Sequence, residues 1–157
     1  MNQGRLIWIG KENRRQPEAE LCERYTARIK HYARLDIKII KPQQTGDLAS
    51  IQRREAEKIL ESVDPGDFLV LCDERGKQMS SEALSQFMVD KAGASGRRVV
   101  WLIGGAMGVS HAVRQRANFM LSLSKMTLPH ALARVFLLEQ IYRALTIRAG
   151  HPYHHEG

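Results

Sequence analysis

Short apolar runs alternate with segments of helical periodicity along the whole chain. Runs of strand length occupy residues 5–9, 36–40, 68–72, 99–103 and 119–123. The third and fourth are continuously apolar, as expected of strands that are covered on both faces. Because strands that alternate with helices build parallel sheets, the pattern predicts an α/β fold: a mostly parallel sheet flanked by helices.

Helix start signals precede most of the segments between these runs. Pro17 suits the first turn of a helix that ends near residue 31, and Asp47 is a candidate cap for a helix that ends near residue 62. Ser80 or Ser81 caps a third helix to about residue 92, and a short fourth ends near residue 117. Polar loops at 11–16 and 73–79 and a flexible segment at 93–96 connect the elements. No linker or change of composition divides the chain, so residues 1–157 are expected to form one domain.

The last predicted helix, residues 131–149, is apolar on most of its surface. It begins after Pro129, and Gly150 follows it as the expected C′ residue. Thirteen of its 19 residues are apolar, and the polar ones form no single face. Such a helix must be buried on most sides. In so small a domain a second copy of the chain is expected to supply part of that burial, which predicts a two-fold homodimer.

A glycine cluster, Gly104-Gly105-Ala106-Met107-Gly108, follows the fourth strand directly. Ligands bind at the carboxyl ends of strands in parallel α/β sheets, and glycine lets the backbone approach a ligand closely. An ordinary tight turn explains the cluster equally well. The spacing does not fit a dinucleotide fingerprint, and the absence of a following Gly-Lys-Ser/Thr excludes a P-loop.

The loop after the fifth strand, residues 124–130, combines small hydroxyls, apolar side chains and backbone amides. This combination suits a flat heterocycle such as adenine, which Leu123, Met126 and Leu128 would pack against. A plain connection between a strand and a helix is the alternative.

The charge of the chain favours an anionic partner. It carries 24 basic and 17 acidic side chains, a net charge of +7, which is typical of nucleic-acid binding but also found in proteins with no such role. The candidates for contacts with RNA phosphates are the basic residues Lys11, Arg14 and Arg15, for which a merely solvated loop is the alternative. No membrane segment or export signal is apparent, so a cytoplasmic location is expected. Neither the two distant cysteines nor the His-rich tail has ligand spacing, so no metal site is expected.

Three ordered segments resemble the RlmH family of SPOUT-class methyltransferases. They are Leu102-Ile103-Gly104-Gly105-x-x-Gly108, Leu123-Ser124-x-Met126-Thr127-Leu128-Pro129-His130 and His151-Pro152-Tyr153-His154. Supporting matches are Ile9-Gly10-Lys11, Asp73 with Gly76-Lys77, and Glu139-x-x-Tyr142-Arg143-Ala144. The resemblance covers essentially the whole chain. Two positions depart from it: His155 stands where the family commonly has arginine, and Cys72 stands where a larger aliphatic residue is usual.

The resemblance implies a SPOUT fold with a C-terminal trefoil knot, and N3 methylation of a pseudouridine in 23S ribosomal RNA with S-adenosylmethionine as the methyl donor. On matching positions, the residues implied to bind the donor are Cys72, Gly104, Gly105, Leu123, Ser124, Lys125, Met126, Thr127 and Leu128. Two alternatives remain open: a SPOUT methyltransferase acting on transfer RNA, and a ribosome-associated RNA-binding module without catalysis.

The candidate catalytic residues lie near the end of the chain. Tyr153 and His154 are expected to line the pocket for the target base, contributed by the partner subunit. His130 and Arg143 are weaker candidates for orienting groups, and a structural role at the helix start is an equal alternative for His130. His31 and His111 are expected to be ordinary surface residues.

Overall fold

A sheet of five parallel strands forms the centre of the molecule. The computed structural model describes residues 1–11 and 13–156, so Glu12 of the predicted loop 11–16 lies outside the described residues. The strands are β1 (Gln3–Ile9), β2 (Arg34–Ile40), β3 (Phe68–Lys77), β4 (Val99–Ile103) and β5 (Phe119–Leu121). Their order is β2-β1-β4-β3-β5, and every neighbouring pair is parallel. The predicted α/β fold is confirmed.

Most of the helices begin within a residue of the start that the sequence predicts. They are α1 (Pro17–Ile29), α2 (Leu48–Leu60), α3 (Ser81–Phe87), α4 (His111–Arg116), α5 (His130–Arg148) and α6 (Tyr153–Glu156). The Asp47 side chain accepts a hydrogen bond of 2.8 Å from the Ser50 amide, and Ser80, rather than Ser81, caps α3. Gly150 ends α5 with a φ of 68°, as expected of a C′ glycine.

Helices cover both faces of the sheet. Alternate residues of β1 point to opposite sides, so Leu6 and Trp8 belong to one core, and Ile7 and Ile9 belong to the other. The first core is completed by α1, α3 and α5, and the second by α2 and α4. Every residue of β4 is buried, which explains its continuously apolar sequence.

The third strand is longer than its apolar run, so the loop predicted at 73–79 is wrong for most of its length. After a register shift β3 continues to Lys77, whose carbonyl accepts a hydrogen bond of 3.0 Å from the Ser122 amide. Gly76 lies so close to β5 that a Cβ would stand 2.7 Å from the Met120 and Leu121 backbone. Backbone pairing with β5, which hydrophobic periodicity does not report, extends the strand. The fifth strand ends at Leu121, two residues earlier than predicted.

The region after α3 also differs in detail. The predicted helix continues past Phe87 as a π-helical turn, Met88–Ala92, in which the Gly93 amide donates to the Met88 carbonyl at 3.1 Å. The segment predicted to be flexible contains a 3-10 turn, Ala94–Gly96, with Ser95 in the left-handed region at φ 58°.

The long helix α5 is buried along its second half and partly uncovered at its start. Leu137, Leu138 and Ile141 have no exposed surface, whereas Leu132 is 46% exposed and Phe136 is 41% exposed. A single copy of the chain therefore leaves two large apolar side chains of this helix uncovered, one turn apart.

Candidate functional site

A cavity of about 420 Å³ lies at the carboxyl end of β4, beside the middle of the longer neighbouring strand β3. Its walls come mainly from residues 71–75 of β3, the glycine loop after β4, and the loop between β5 and α5, and they are completed by Arg114 of α4 and the first turn of α5. The position agrees with the rule that ligands bind at the carboxyl ends of parallel strands. Among the residues proposed from sequence to bind the donor, those that line the cavity are Cys72, Gly104, Gly105, Leu123, Ser124, Met126, Thr127 and Leu128. Lys125 belongs to the same loop but is exposed and does not line it.

The glycine loop is a tight turn whose backbone forms one wall. Gly105 and Gly108 pair across it, with the Gly108 amide donating to the Gly105 carbonyl at 3.0 Å. Gly108 has a φ of 71°, and a Cβ on Gly104 would stand only 2.8 Å from Cγ1 of Val109. The interpretation as a tight turn is confirmed, and because the turn also lines a cavity, ligand binding at these glycines stays a prediction.

The opposite wall is fixed by local hydrogen bonds. The Ser122 hydroxyl donates to the Ser124 carbonyl at 3.0 Å, and the Ser124 hydroxyl accepts from the Met126 amide at 2.9 Å. These bonds shape the loop without the help of a regular element. Met126 is left 79% exposed at the edge of the cavity.

A charged cluster forms a third part of the cavity, and none of its members was among the site residues proposed from sequence. Asp73 accepts hydrogen bonds from Arg114 at 2.6 Å and from Nε of Arg75 at 2.9 Å. These bonds, those from Arg75 above all, hold the pKa of the Asp73 carboxyl well below its usual range against the opposing effect of burial. The sequence signal for Asp73 is its position directly after a buried run. For Arg114 there is none, because only the fold brings α4 to β3.

Cys72 contributes an apolar surface to the cavity. Burial raises the pKa of its thiol to about 12, so it stays protonated at neutral pH and is unsuited to act as a nucleophile. Cys22 is buried against α5 in the first core, and both cysteines are free. Both environments suit a small apolar side chain.

Three of the four candidate catalytic residues meet in one cluster at the far end of α5. The Tyr153 hydroxyl donates to Oε1 of Glu139 at 3.1 Å, and its ring packs on Tyr142 with centroids 4.7 Å apart. The guanidinium of Arg143 donates to the same Glu139 oxygen at 2.6 Å and lies 4.7 Å from the centroid of the Tyr153 ring. Burial, assisted by hydrogen bonds with Tyr25 and Glu139, raises the pKa of Tyr153.

His154 joins the tail to α3. Its Nε2 lies 2.7 Å from Oε1 of Glu82, and its Nδ1 lies 3.5 Å from the Arg143 guanidinium. Hydrogen bonds at the start of α3, chiefly from the backbone, together with the contact to His154, lower the pKa of Glu82 to about 2. The C-terminal segment is therefore a docked helical turn and not a frayed end.

Within one copy of the chain this cluster is remote from the cavity. His130 and Ala133 of α5 line the cavity, but Tyr153, His154 and Arg143 do not. Arg143 follows His130 by thirteen helical positions, which is about 20 Å along the axis at the usual rise of an α-helix. Of the four candidates, the structure places only His130 at the cavity.

Five basic and histidine side chains that the sequence analysis placed at the surface are exposed in the structure. Lys11, Arg14 and Arg15 are exposed before α1, and His31 and His111 are exposed as expected. In residues 1–11 and 13–156, no group of three or more histidine, cysteine or acidic side chains is placed to hold a metal ion. Within the same residues, no helix has the length and apolar character needed to cross a membrane.

Comparison with known proteins places the chain among methyltransferases. The family described as "Predicted SPOUT methyltransferase" matches residues 3–154. Proteins named ribosomal RNA large subunit methyltransferase H are similar over nearly their full length. The protein from Geobacter sp. (strain M21) is 41% identical over 152 residues, which is 97% of this chain and 98% of the relative. The protein from Clostridium botulinum (strain Eklund 17B / Type B) is 42% identical over 156 residues, which is 95% of this chain and 97% of the relative.

A solved structure supports the fold at low sequence identity. A probable methylase family protein from Haemophilus influenzae Rd KW20 superposes with a TM-score of 0.58 at 12% identity, covering 96% of this chain and 68% of that one. At this identity the likeness concerns the fold alone.

Proposed function

The chain belongs to the SPOUT methyltransferase family, and we propose that it moves the methyl group of S-adenosylmethionine to N3 of a pseudouridine in 23S ribosomal RNA. The relatives named as large-subunit ribosomal RNA methyltransferases share about two-fifths of its residues over nearly the whole chain, which supports the choice of substrate. The observation that carries the proposal is the convergence of the glycine loop and the 123–128 loop on one cavity.

The cavity fits a nucleoside with a charged tail. Its volume of about 420 Å³ lies within the range of ligand sites, roughly 300–1,000 Å³. Gly104 and Gly105 remove side chains where the backbone meets the cavity, and Leu123 and Leu128 offer apolar surface to an adenine ring. The amino acid end of the donor carries an ammonium group and a carboxylate. Asp73 offers a negative charge to the first, and Arg114 offers a positive charge to the second. When bound, S-adenosylmethionine supplies an electrophilic methyl group on a sulfonium centre.

The protein has to orient the target base so that N3 can accept the methyl group, and the N3 proton has to pass to solvent water. A positioned base contributes ~10²–10⁴-fold to such a step, and alignment of the two reactants contributes further. Because its pKa is raised, Tyr153 is protonated at neutral pH and is not a general base. Its single O–H is donated to Glu139, so toward the target base the Tyr153 hydroxyl oxygen acts as a hydrogen-bond acceptor. His154 lines the same base pocket, and His130 and Arg143 hold the surrounding groups in place.

A homodimer brings the two halves of the site together. Tyr153 and His154 of α6 pack against the end of α5 that is remote from the cavity of their own copy, so we assign them to the cavity of the partner. The exposed Leu132 and Phe136 give α5 an apolar face for a two-fold contact. Met126 at the edge of the cavity and Met107 in the glycine loop are also exposed, at 79% and 50%, and we include them in the proposed contact. The proposed interface therefore closes over the donor.

The proposal includes the setting of the reaction. Substrate RNA lies across the basic segment that contains Lys11, Arg14 and Arg15, and the net charge of +7 favours its phosphates. The enzyme works in the cytoplasm, where ribosomes are. The late loops carry the trefoil knot that the family resemblance implies.

Two measurements test this function. Titration calorimetry with S-adenosylmethionine should show one site per chain, and transfer of a labelled methyl group should occur to ribosomes and not to free transfer RNA. Transfer to transfer RNA instead would move the substrate to the alternative enzyme. Absence of donor binding would leave only a non-catalytic RNA-binding module and would overturn the proposal.

A further inference from the structure

A second cavity, of about 500 Å³, lies between α1, the strands β1 and β2, and the first turn of α5. We name it the α1 cleft. Ala131 and Arg134 line the α1 cleft, whereas His130 and Ala133 line the cavity described above. The two cavities therefore lie on two flanks of the same helical turn. A molecule that reaches the donor cavity passes within a few residues of the α1 cleft.

The floor of the α1 cleft holds polar groups that the protein does not satisfy. The guanidinium of Arg134 lies 4.7 Å from the ring centroid of Trp8, which is only 5% exposed. Nε of Arg134 and Nε1 of Trp8 are both buried and have no hydrogen-bond partner among the described residues. Buried donors without partners cost free energy and are rare in native proteins, so a pair of them beside one cavity favours a polar ligand there.

The guanidinium of Arg134 also has no neutralising carboxylate. Within the part of the chain that the structure describes, no acidic side chain lies within ion-pair distance of it. Burial accordingly lowers the pKa of Arg134. One face of the guanidinium is covered by the indole of Trp8, and the side chain remains partly exposed toward the cleft.

We propose that the α1 cleft binds an unpaired nucleotide of the substrate RNA, with its base stacked on the Arg134 guanidinium and Trp8 beneath. This inference rests on the proposed function, because it takes RNA as the substrate. Single-stranded bases are recognised by stacking on aromatic rings and arginine planes, and by hydrogen bonds to their edges. A nucleotide next to the target base is the natural occupant of a cleft one helical turn from the donor.

The charge of the cleft favours the base over the phosphate. Glu18 and Glu23 line the cleft together with Lys30 and Arg134, so its ionised side chains balance and a phosphate gains little there. The side-chain amides of Asn13 and Gln16 line it as well, and each offers both a donor and an acceptor to a base edge. The phosphates are left to the exposed basic residues that precede α1.

The geometry of α5 argues against a second copy as the occupant. At about 100° per residue, Leu132 and Phe136 point well away from Ala131 and Arg134 on the helix. A copy that docks on the exposed apolar face therefore leaves the α1 cleft open. The opening stays available to RNA in the proposed homodimer.

The test measures RNA and donor binding separately on the full chain. Arg134→Lys keeps the charge and removes the stacking plane. Arg148→Lys, an exposed arginine at the other end of α5, is the matched control. Binding of a single-stranded fragment of 23S ribosomal RNA is followed by fluorescence anisotropy at fixed salt. Arg134→Lys should weaken RNA binding by about tenfold. Arg148→Lys should bind RNA with the wild-type affinity, and both variants should bind S-adenosylmethionine with the wild-type affinity.

A second variant and a crosslinking experiment keep the inference testable if Arg134→Lys fails to fold. Ala27→Glu places a carboxylate into the cleft from an exposed position of α1 and should weaken RNA binding without loss of thermal stability. The same RNA carrying 4-thiouridine should crosslink to peptides from β1, the 11–16 segment or α1. Wild-type RNA affinity in both variants, crosslinks elsewhere, or a shift of the monomer–dimer equilibrium in place of RNA affinity would overturn the inference. Failure of the proposed function would be distinguishable, because the wild type would then bind no donor or would transfer no methyl group to ribosomes.

Discussion

The hydroxyl of Tyr153 donates a hydrogen bond of 3.1 Å to Oε1 of Glu139, fourteen residues earlier in the chain. This bond fastens the C-terminal turn α6 to the helix α5 of the same copy. The C-terminal turn α6 is therefore already ordered, with the Tyr153 hydroxyl protonated, in a single copy of the chain without RNA. A preformed tail loses less conformational freedom on binding than a frayed one would.

Replacing Tyr153 with phenylalanine should separate the hydroxyl from the ring. The ring contact with Tyr142 remains, while the hydrogen bond to an ionised partner is lost, which costs about 1.5–3 kcal/mol of unfolding free energy at most. Methyl transfer to ribosomes should fall by at least about tenfold if the hydroxyl orients the base, with donor affinity unchanged. Tyr32→Phe, another ring packed on Tyr142, is the control. Full activity in Tyr153→Phe would remove the hydroxyl from the mechanism.

Gly104→Ala should damage the donor cavity. The added Cβ would stand 2.8 Å from Cγ1 of Val109, so the loop has to shift, and overpacking of this kind costs about 1–3 kcal/mol. We expect the dissociation constant for S-adenosylmethionine to rise by at least about tenfold, the equivalent of roughly 1.4 kcal/mol. Gly66→Ala is the control, because a Cβ there meets nothing within 4 Å. Equal donor affinity in both variants would contradict the assignment of the glycine loop.

Asp73→Asn should change how stability depends on pH. The folded pKa of Asp73 lies below the unfolded value, so its contribution is fully present above about pH 4 and is lost as the pH falls below it. The variant should lose about 1.5–3 kcal/mol of unfolding free energy at neutral pH. The unfolding free energy of the variant should also fall less than that of the wild type between neutral pH and pH 2. Urea unfolding at several pH values measures both, with Glu57→Gln, an exposed acid of α2, as control. An unchanged pH profile would show that the Arg75 and Arg114 contacts contribute nothing to stability.

Charged substitutions on the exposed apolar face of α5 test whether this face forms the dimer contact. Leu132→Glu combined with Phe136→Glu places two carboxylates on the exposed apolar face of α5 and should give a folded monomer. Methyl transfer should be lost, because Tyr153 and His154 would then lie away from any donor cavity. Sedimentation velocity reports the assembly, and Leu48→Glu, at a residue that is 49% exposed on α2, is the control. An active monomer would contradict the shared site.

Local sequence signals account for the parts of the fold that depend on local physics. The caps Asp47 and Ser80, the continuous apolar strand β4 and the glycine end of α5 were predictable because each depends on a few neighbouring residues. The extension of β3 to Lys77 was not, since it depends on pairing with β5 more than forty residues later.

The candidate site divides in the same way. The glycine loop and the 123–128 loop carry recognisable motifs, and the structure brings both to one cavity. Arg114 and Asp73 are 41 residues apart in sequence, and Arg134 and Trp8 are 126 residues apart. No sequence spacing therefore predicts either contact. Long-range pairing of charged and aromatic side chains has no local signature.

The most direct test of the central claim, that this chain methylates large-subunit ribosomal RNA, is mass spectrometry of 23S ribosomal RNA from cells that lack it. We predict that one pseudouridine loses a single methyl group, that the wild-type gene restores it, and that Gly104→Ala restores it poorly. An unchanged methylation pattern in the deletion strain would contradict the account.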